Sequence, residues 1–130
     1  MPKGKNKKPK ERKNKMAERR MLKGSLIKES RFRGLASATQ ILYVLMLTDA
    51  DDDGFIGDGR RYAKMMGFNP RRLDELCKTG YLIPFDSGVY AITHWNEHNK
   101  IGGIKHRVTN YPDALAQLTT DRQGRYVAAY

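Results

Sequence analysis

"FNPRRLDELCKTGYLIPFDSGVYAITHW", residues 68–95, carries the densest run of local structural signals in the chain. Asn69 is a helix N-cap residue, and Pro70 suits the first helical position, where its missing N–H costs nothing. Gly80 suits the left-handed residue that ends a helix. Between them Leu73, Leu76 and Cys77 form an apolar stripe, with Arg71, Asp74, Glu75 and Lys78 opposite. "YLIPF" and "VYAITHW" then read as two strands joined at Asp86-Ser87-Gly88, a hairpin turn signal.

Working toward the N-terminus, Asp58 offers a cap for "GRRYAKMM" and Gly67 stops it, with Tyr62, Met65 and Met66 inward and Arg60, Arg61 and Lys64 mostly outward. Gly54-Phe55-Ile56 reads as a short extended segment. Ser37-x-x-Gln40 fits a capping box, followed by Ile41, Leu42, Leu45 and Met46 at helical spacing, so a helix is expected from Ser37 to near Thr48. Residues 37–95 thus run helix, short strand, helix, helix, hairpin. That order predicts an α+β fold, a winged helix-turn-helix with three helices, a short strand and a C-terminal β-hairpin. "PDALAQL" offers a further weak helix from Pro112. The expected domains are a disordered basic arm over 1–20, a winged-helix domain over 21–111 and a C-terminal extension over 112–130.

Composition fits one small domain with a solvated appendage. Of 130 residues, 39% are apolar and 30% charged, respectively below and above ordinary globular values. The formal net charge is +11, and residues 1–20 hold ten Lys/Arg against two Glu, leaving only +3 elsewhere. "MPKGKNKKPKERKNK", residues 1–15, lacks aromatic and β-branched residues and cannot offset its ordering entropy by burial. Two readings stay open for it: a solubilising tail preceding a start at Met16, or a nucleic-acid arm whose cations track phosphates. A single cysteine, Cys77, excludes an intramolecular disulfide and fits a cytoplasmic setting. No apolar run reaches membrane-spanning length and no secretory signal is visible, so no membrane association is expected.

"DADDDGFIGD", residues 49–58, poses the main competing chemistry. Asp49-x-Asp51-x-Asp53-Gly54-x-Ile56 matches the first two-thirds of a calcium-binding EF-hand loop, yet the twelfth position, where a bidentate glutamate belongs, is Arg60. The expected reading is a turn in which Gly54 takes an unusual φ and the aspartates pair with Arg60, Arg61 or Arg33. His94, His98, His106 and Cys77 lack the spacing of a zinc site and are read as hydrogen-bonded or surface groups around Trp95. Cys77 is read as a packed small hydrophobe. "HWNEHN" looks superficially like a His-Asn-His nuclease motif without the framework such nucleases need. With no phosphate-binding glycine loop and no catalytic constellation, no enzymatic activity, cofactor or metal is expected.

Two stretches, "LASATQILYVLMLTDADDDGFIGD" (35–58) and "GYLIPFDSGVYAITHW" (80–95), with "MAERRM" (16–21) before them, resemble in order the N-terminal winged-helix domain of phage replisome organisers. These are replication-initiation proteins of Gram-positive phages and prophages, related in role to DnaD-type primosome proteins. The resemblance covers about residues 16–112 and implies that "ADDDGF" is a turn signature of the fold. It departs at residues 1–15, an extension, and at His106-Arg107, where the family runs to an Asp-Arg pair. Family members commonly carry a further C-terminal region that engages other replication proteins, such as a helicase loader.

The expected function is therefore double-stranded DNA binding in replication initiation. Arg71, Arg72 and Lys78 lie on the exposed side of the helix that would enter the major groove, and Arg60, Arg61 and Lys64 on the helix that would cross the backbone. Arg19 and Arg20 of the arm complete the set. Asp74 and Glu75 dilute the charge of that surface, which keeps a protein–protein module of the primosome as an alternative, alongside a small transcriptional regulator. Homo-oligomerisation is also open.

Overall fold

Seven helices and five short strands make up residues 20–99 and 109–130, the residues that the computed structural model describes. In chain order these are α1 Gly24–Ile27, α2 Ser30–Arg33, α3 Ser37–Asp49, β1 Phe55–Ile56, α4 Gly59–Met65 and α5 Arg71–Lys78. There follow β2 Leu82–Pro84, β3 Tyr90–Ile92, α6 Trp95–His98, α7 Pro112–Ala116, β4 Leu118–Thr120 and β5 Tyr126–Ala128. The class is α+β. One antiparallel sheet has the order β1-β3-β2, with Phe55 opposite Ala91 and Ile83 opposite Ala91 on the other side; β4 and β5 form a separate hairpin. Pro84 sits on β2, an edge strand, where its missing N–H breaks no ladder.

The capping and stop signals around α4 and α5 do their expected work, but Met65 and Met66 do not turn inward: they are 69% and 39% exposed, and Tyr62 and Ala63 supply the packed face of α4. Asp58 Oδ1 accepts the Arg61 N–H at 3.2 Å, and Gly67 takes φ +89° to end α4. Asn69 Oδ1 accepts the Arg71 N–H at 2.9 Å, while Pro70 already has helical angles. At the far end Gly80 takes φ +87°, and the Tyr81 N–H returns to the Leu76 carbonyl at 2.8 Å. Leu73 and Leu76 are fully buried beneath α3. The hairpin closes through Phe85 N–H to Val89 O at 2.9 Å, with Gly88 at φ +93°.

Helix α3 departs from its reading in two ways. No Ser37–Gln40 capping box forms, because the helix begins on Ser37 itself and Ala36 occupies the cap position. Gln40 instead turns back, its Nε2 donating to the carbonyls of Arg33 and Leu35 at 3.1 and 2.8 Å, which pins the end of α2. The buried face is Thr39, Leu42, Tyr43, Met46 and Leu47, continuing to Ala50, whereas Ile41 is 53% exposed.

The second strand of the hairpin is also shorter than expected. It stops at Ile92, because the Thr93 carbonyl accepts from Tyr126 and His94 caps α6. Trp95 thereby becomes the first residue of a helix and one of the largest fully buried side chains. Residues 112–130 share the same core. A helix does start at Pro112, and the β4–β5 hairpin after it, which the sequence reading did not anticipate, stacks Tyr126 on Phe55 with ring centroids 6.0 Å apart.

The aspartate-rich loop is a turn, with partners other than those expected. Asp51 Oδ1 accepts the N–H groups of Asp53 and Phe55 at 2.9 and 3.0 Å, and its Oδ2 accepts the Thr109 hydroxyl at 2.5 Å. Asp53 Oδ2 accepts the Thr109 N–H, Asp49 Oδ2 accepts the Tyr62 hydroxyl, and Asp52 pairs with Arg20 at 2.9 Å. Arg33 turns instead to Gln40 and Arg60 to Asp74. With Asp51 already accepting from three protein donors and Arg60 at the twelfth loop position, calorimetry with calcium on the purified chain should register no binding tighter than about millimolar. A stoichiometric micromolar site would overturn the turn reading.

Candidate nucleic-acid interface

The two helices expected to face a polyanion are consecutive and linked by an ion pair. Arg60 of α4 reaches Asp74 of α5 with N···O 3.9 Å, both side chains being more than half exposed. Its guanidinium also lies against the Tyr90 hydroxyl, where it partly offsets the upward push that burial gives the phenol. On α5, Arg72 pairs with Glu75 at 3.2 Å, an i,i+3 contact, and Glu75 also accepts the Thr39 hydroxyl from α3. Surface pairs of this type contribute only about 0–1 kcal/mol, so exchanging a carboxylate for a phosphate costs little.

Arg61, Lys64, Arg71 and Lys78 are exposed and enter no ion pair among the described residues. Arg71 projects from the first turn of α5, its own N–H fixed by Asn69. Asn69, Arg71, Arg72 and Glu75 border a dent of ≈ 190 Å³ at this helix start. Six cations of α4 and α5 are thus gathered on two adjoining helices: Arg60, Arg61, Lys64, Arg71, Arg72 and Lys78.

The remaining two expected contacts divide. Arg19 lies outside the described residues. Arg20 is turned inward, and this corrects its place in the set. Its side chain is only 4% exposed, donating to Asp52 Oδ1 and to the Ala50 carbonyl at 3.0 Å, with the guanidinium 5.1 Å from the Trp95 ring centroid. A cation desolvated against a carboxylate and an aromatic face cannot also meet a phosphate. The physical reason is local negative charge: the loop that holds Asp52 competes for the first cation of the described chain. Nothing in a run of ten Lys/Arg marks which one is taken. By contrast, the Arg72–Glu75 tether was available from its spacing.

Other candidate chemistry among the described residues is absorbed by the core; His106 lies outside them. His94 and His98 are both buried; His98 Nδ1 accepts the Lys23 N–H at 2.9 Å and its Nε2 faces the Tyr43 hydroxyl at 3.0 Å. Burial, followed by the Asp74 charge, pushes the Cys77 thiol up to about 11, so it stays a thiol at neutral pH. Among the described residues no group of three or more His, Cys, Asp or Glu side chains is placed to hold a metal ion, and no helix is long and apolar enough to cross a membrane. No family model, curated protein or solved structure matches the chain.

Proposed function

We propose that this chain is a winged-helix DNA-binding domain serving replication initiation in a phage or prophage. The observation that carries the DNA-binding reading is the connectivity α3-β1-α4-α5-β2-β3 with sheet order β1-β3-β2, six cations lying on α4 and α5. In a winged helix-turn-helix, α5 would enter the major groove and α4 would cross the backbone. The wing is a short turn already engaged by the protein: the Gly88 carbonyl accepts from Gly59, and the Tyr130 hydroxyl donates to the Pro84 carbonyl. It offers little to a minor groove. The replication role rests on the resemblance of residues 35–58 and 80–95 to phage replisome organisers. The carboxylates of Asp74 and Glu75 on α5 favour the second reading, a protein-binding module with little DNA affinity of its own.

The two readings part in a competition assay between a duplex selected from a random pool and random duplex. Arg71→Ala should weaken the selected duplex by about 1–3 kcal/mol more than the random one, as expected for a lost bidentate arginine–guanine pair. Arg60→Ala and Lys64→Ala should weaken both alike. If every variant behaves identically on both duplexes, no sequence is read by α5 and the protein-binding module is the better account.

Deleting residues 1–19, which spares the structural Arg20, should flatten the plot of log affinity against log salt by roughly 0.9 per lost phosphate contact. An unchanged slope would make the arm an idle tail.

A further inference from the structure

Helix α3 is apolar on two sides. One side, with Leu42, Tyr43, Met46 and Leu47, is in the core; the other presents Ile41, 53% exposed, and the half-buried Val44 and Leu45. A helix that is apolar all round is normally covered all round. With Ile27 of α1 and Phe32 of α2, these residues line a groove of ≈ 320 Å³, and Arg33 is the one charged residue in its lining. Exposed Lys28 adds positive charge beside it, whereas Arg31 is held on another side, 4.9 Å from the Tyr81 ring centroid and 3.8 Å from Glu29.

Three occupants from within the system fit poorly. The arm, residues 1–19, carries nine Lys/Arg against two Glu and has Met1, Met16, Ala17 and two prolines as its apolar side chains, so it brings like charge and few anchors. Tyr130, after β5, is occupied elsewhere, its ring 5.8 Å from that of Phe85. A second copy joined through a two-fold axis would bring two Arg33 side chains and no carboxylate of the groove into one interface, within a pair of chains each carrying +11.

We infer that the α1–α2–α3 groove docks an acidic amphipathic helix of a partner protein, its apolar residues at i, i+3 and i+4 seated on Ile41, Val44 and Leu45 and a carboxylate meeting Arg33. Helix-in-groove recognition uses this spacing, and opposite charge at the rim fixes orientation and speeds encounter. The inference does not depend on the DNA-binding reading, since it uses none of the α4 and α5 cations.

The probe is a fluorescein-labelled synthetic helix with leucines at i, i+3, i+4 and i+7 and glutamates elsewhere, against a counterpart carrying lysines. Anisotropy with the full chain should show the glutamate peptide binding at least about tenfold more tightly than the lysine peptide. Ile41→Gln, neutral and at an exposed helical position, should weaken the glutamate peptide by about tenfold, as removal of a central anchor does. Arg33→Glu should shift the preference toward the lysine peptide. Methyl resonances of Ile41, Val44 and Leu45 should move on titration. Binding of the glutamate peptide that is indifferent to Ile41→Gln would mean attraction to the basic arm alone and would overturn the inference. So would methyl resonances that stay still, or a wild-type dimer in sedimentation that Ile41→Gln dissociates, which would give the groove to a second copy.

Discussion

Replacing Gly54 by alanine is expected to lower stability by about 2–5 kcal/mol, the sum of left-handed backbone strain and forced overpacking. Gly54 has φ +87°, and a Cβ there would stand 2.5 Å from Trp95 Cγ, 2.7 Å from its Cβ and 2.8 Å from its Cδ2. The indole cannot retreat. It is 1% exposed, its Nε1–H donates to the Asp52 carbonyl at 2.9 Å, and Arg20 covers one of its faces. Nor can the loop, because the Gly54 carbonyl accepts the Ile92 N–H at 2.9 Å and the Gly54 N–H donates to Asp51. Gly67→Ala is the matched control: it has a similar φ, +89°, and nothing within 4 Å of the added atom. The control should lose only the strain, about 1–2 kcal/mol. Thermal unfolding followed by circular dichroism would then separate the variants by on the order of 10 °C for a domain of this size. Equal losses in the two would mean that Trp95 is not seated against the loop.

What could be read in the sequence was whatever a few adjacent residues decide among themselves. Asp58, Asn69 and Pro70 bond or pre-set backbone within three positions, and Gly67, Gly80 and Gly88 supply positive φ where the chain turns, so α4, α5 and the β2–β3 hairpin could be placed. Helix α3 could be located but not oriented. Its apolar residues surround the axis, and periodicity cannot tell which side meets the core: of the four at helical spacing, Leu42 and Met46 are buried while Ile41 is exposed. The same ambiguity is what the docking inference exploits.

Long-range pairings were out of reach. Arg20 and Asp52 are 32 positions apart, and the Lys23 N–H finds His98 across 75. Each is one choice among many chemically equal ones: any cation of the arm suits Asp52, and any buried donor suits His98. The six cations expected on α4 and α5 do lie on those helices, while Arg20 is turned inward. Whether those cations read bases is a question for the duplex competition.

Acid is expected to loosen the attachment of the N-terminal segment through His98. Its Nδ1 accepts the Lys23 N–H, so the proton of the neutral ring resides on Nε2, directed at the Tyr43 oxygen. Protonating Nδ1 would set one N–H against another. Burial is the largest cause holding His98 down at about 4, followed by the charge of His94; Lys23 adds to the effect and Glu97 opposes it. His94 is lowered too, first by burial and then by Arg125. The ordinary histidine value is about 6.5, so between 6.5 and 4 the unfolded chain binds the proton that the folded chain refuses. Stability therefore rises with pH across that window, and falls as pH drops from about 6.5 toward 4. A difference of this size corresponds to roughly 3 kcal/mol for His98 alone. Urea midpoints at pH 7, 6, 5 and 4.5 should fall steeply in the wild type. In His98→Gln, whose amide oxygen can accept the Lys23 N–H without titrating, the fall should be shallower, leaving the share owed to His94 and the carboxylates. Parallel curves for the two proteins would show that the proton is taken up elsewhere, and the Lys23–His98 contact would then carry no pH dependence.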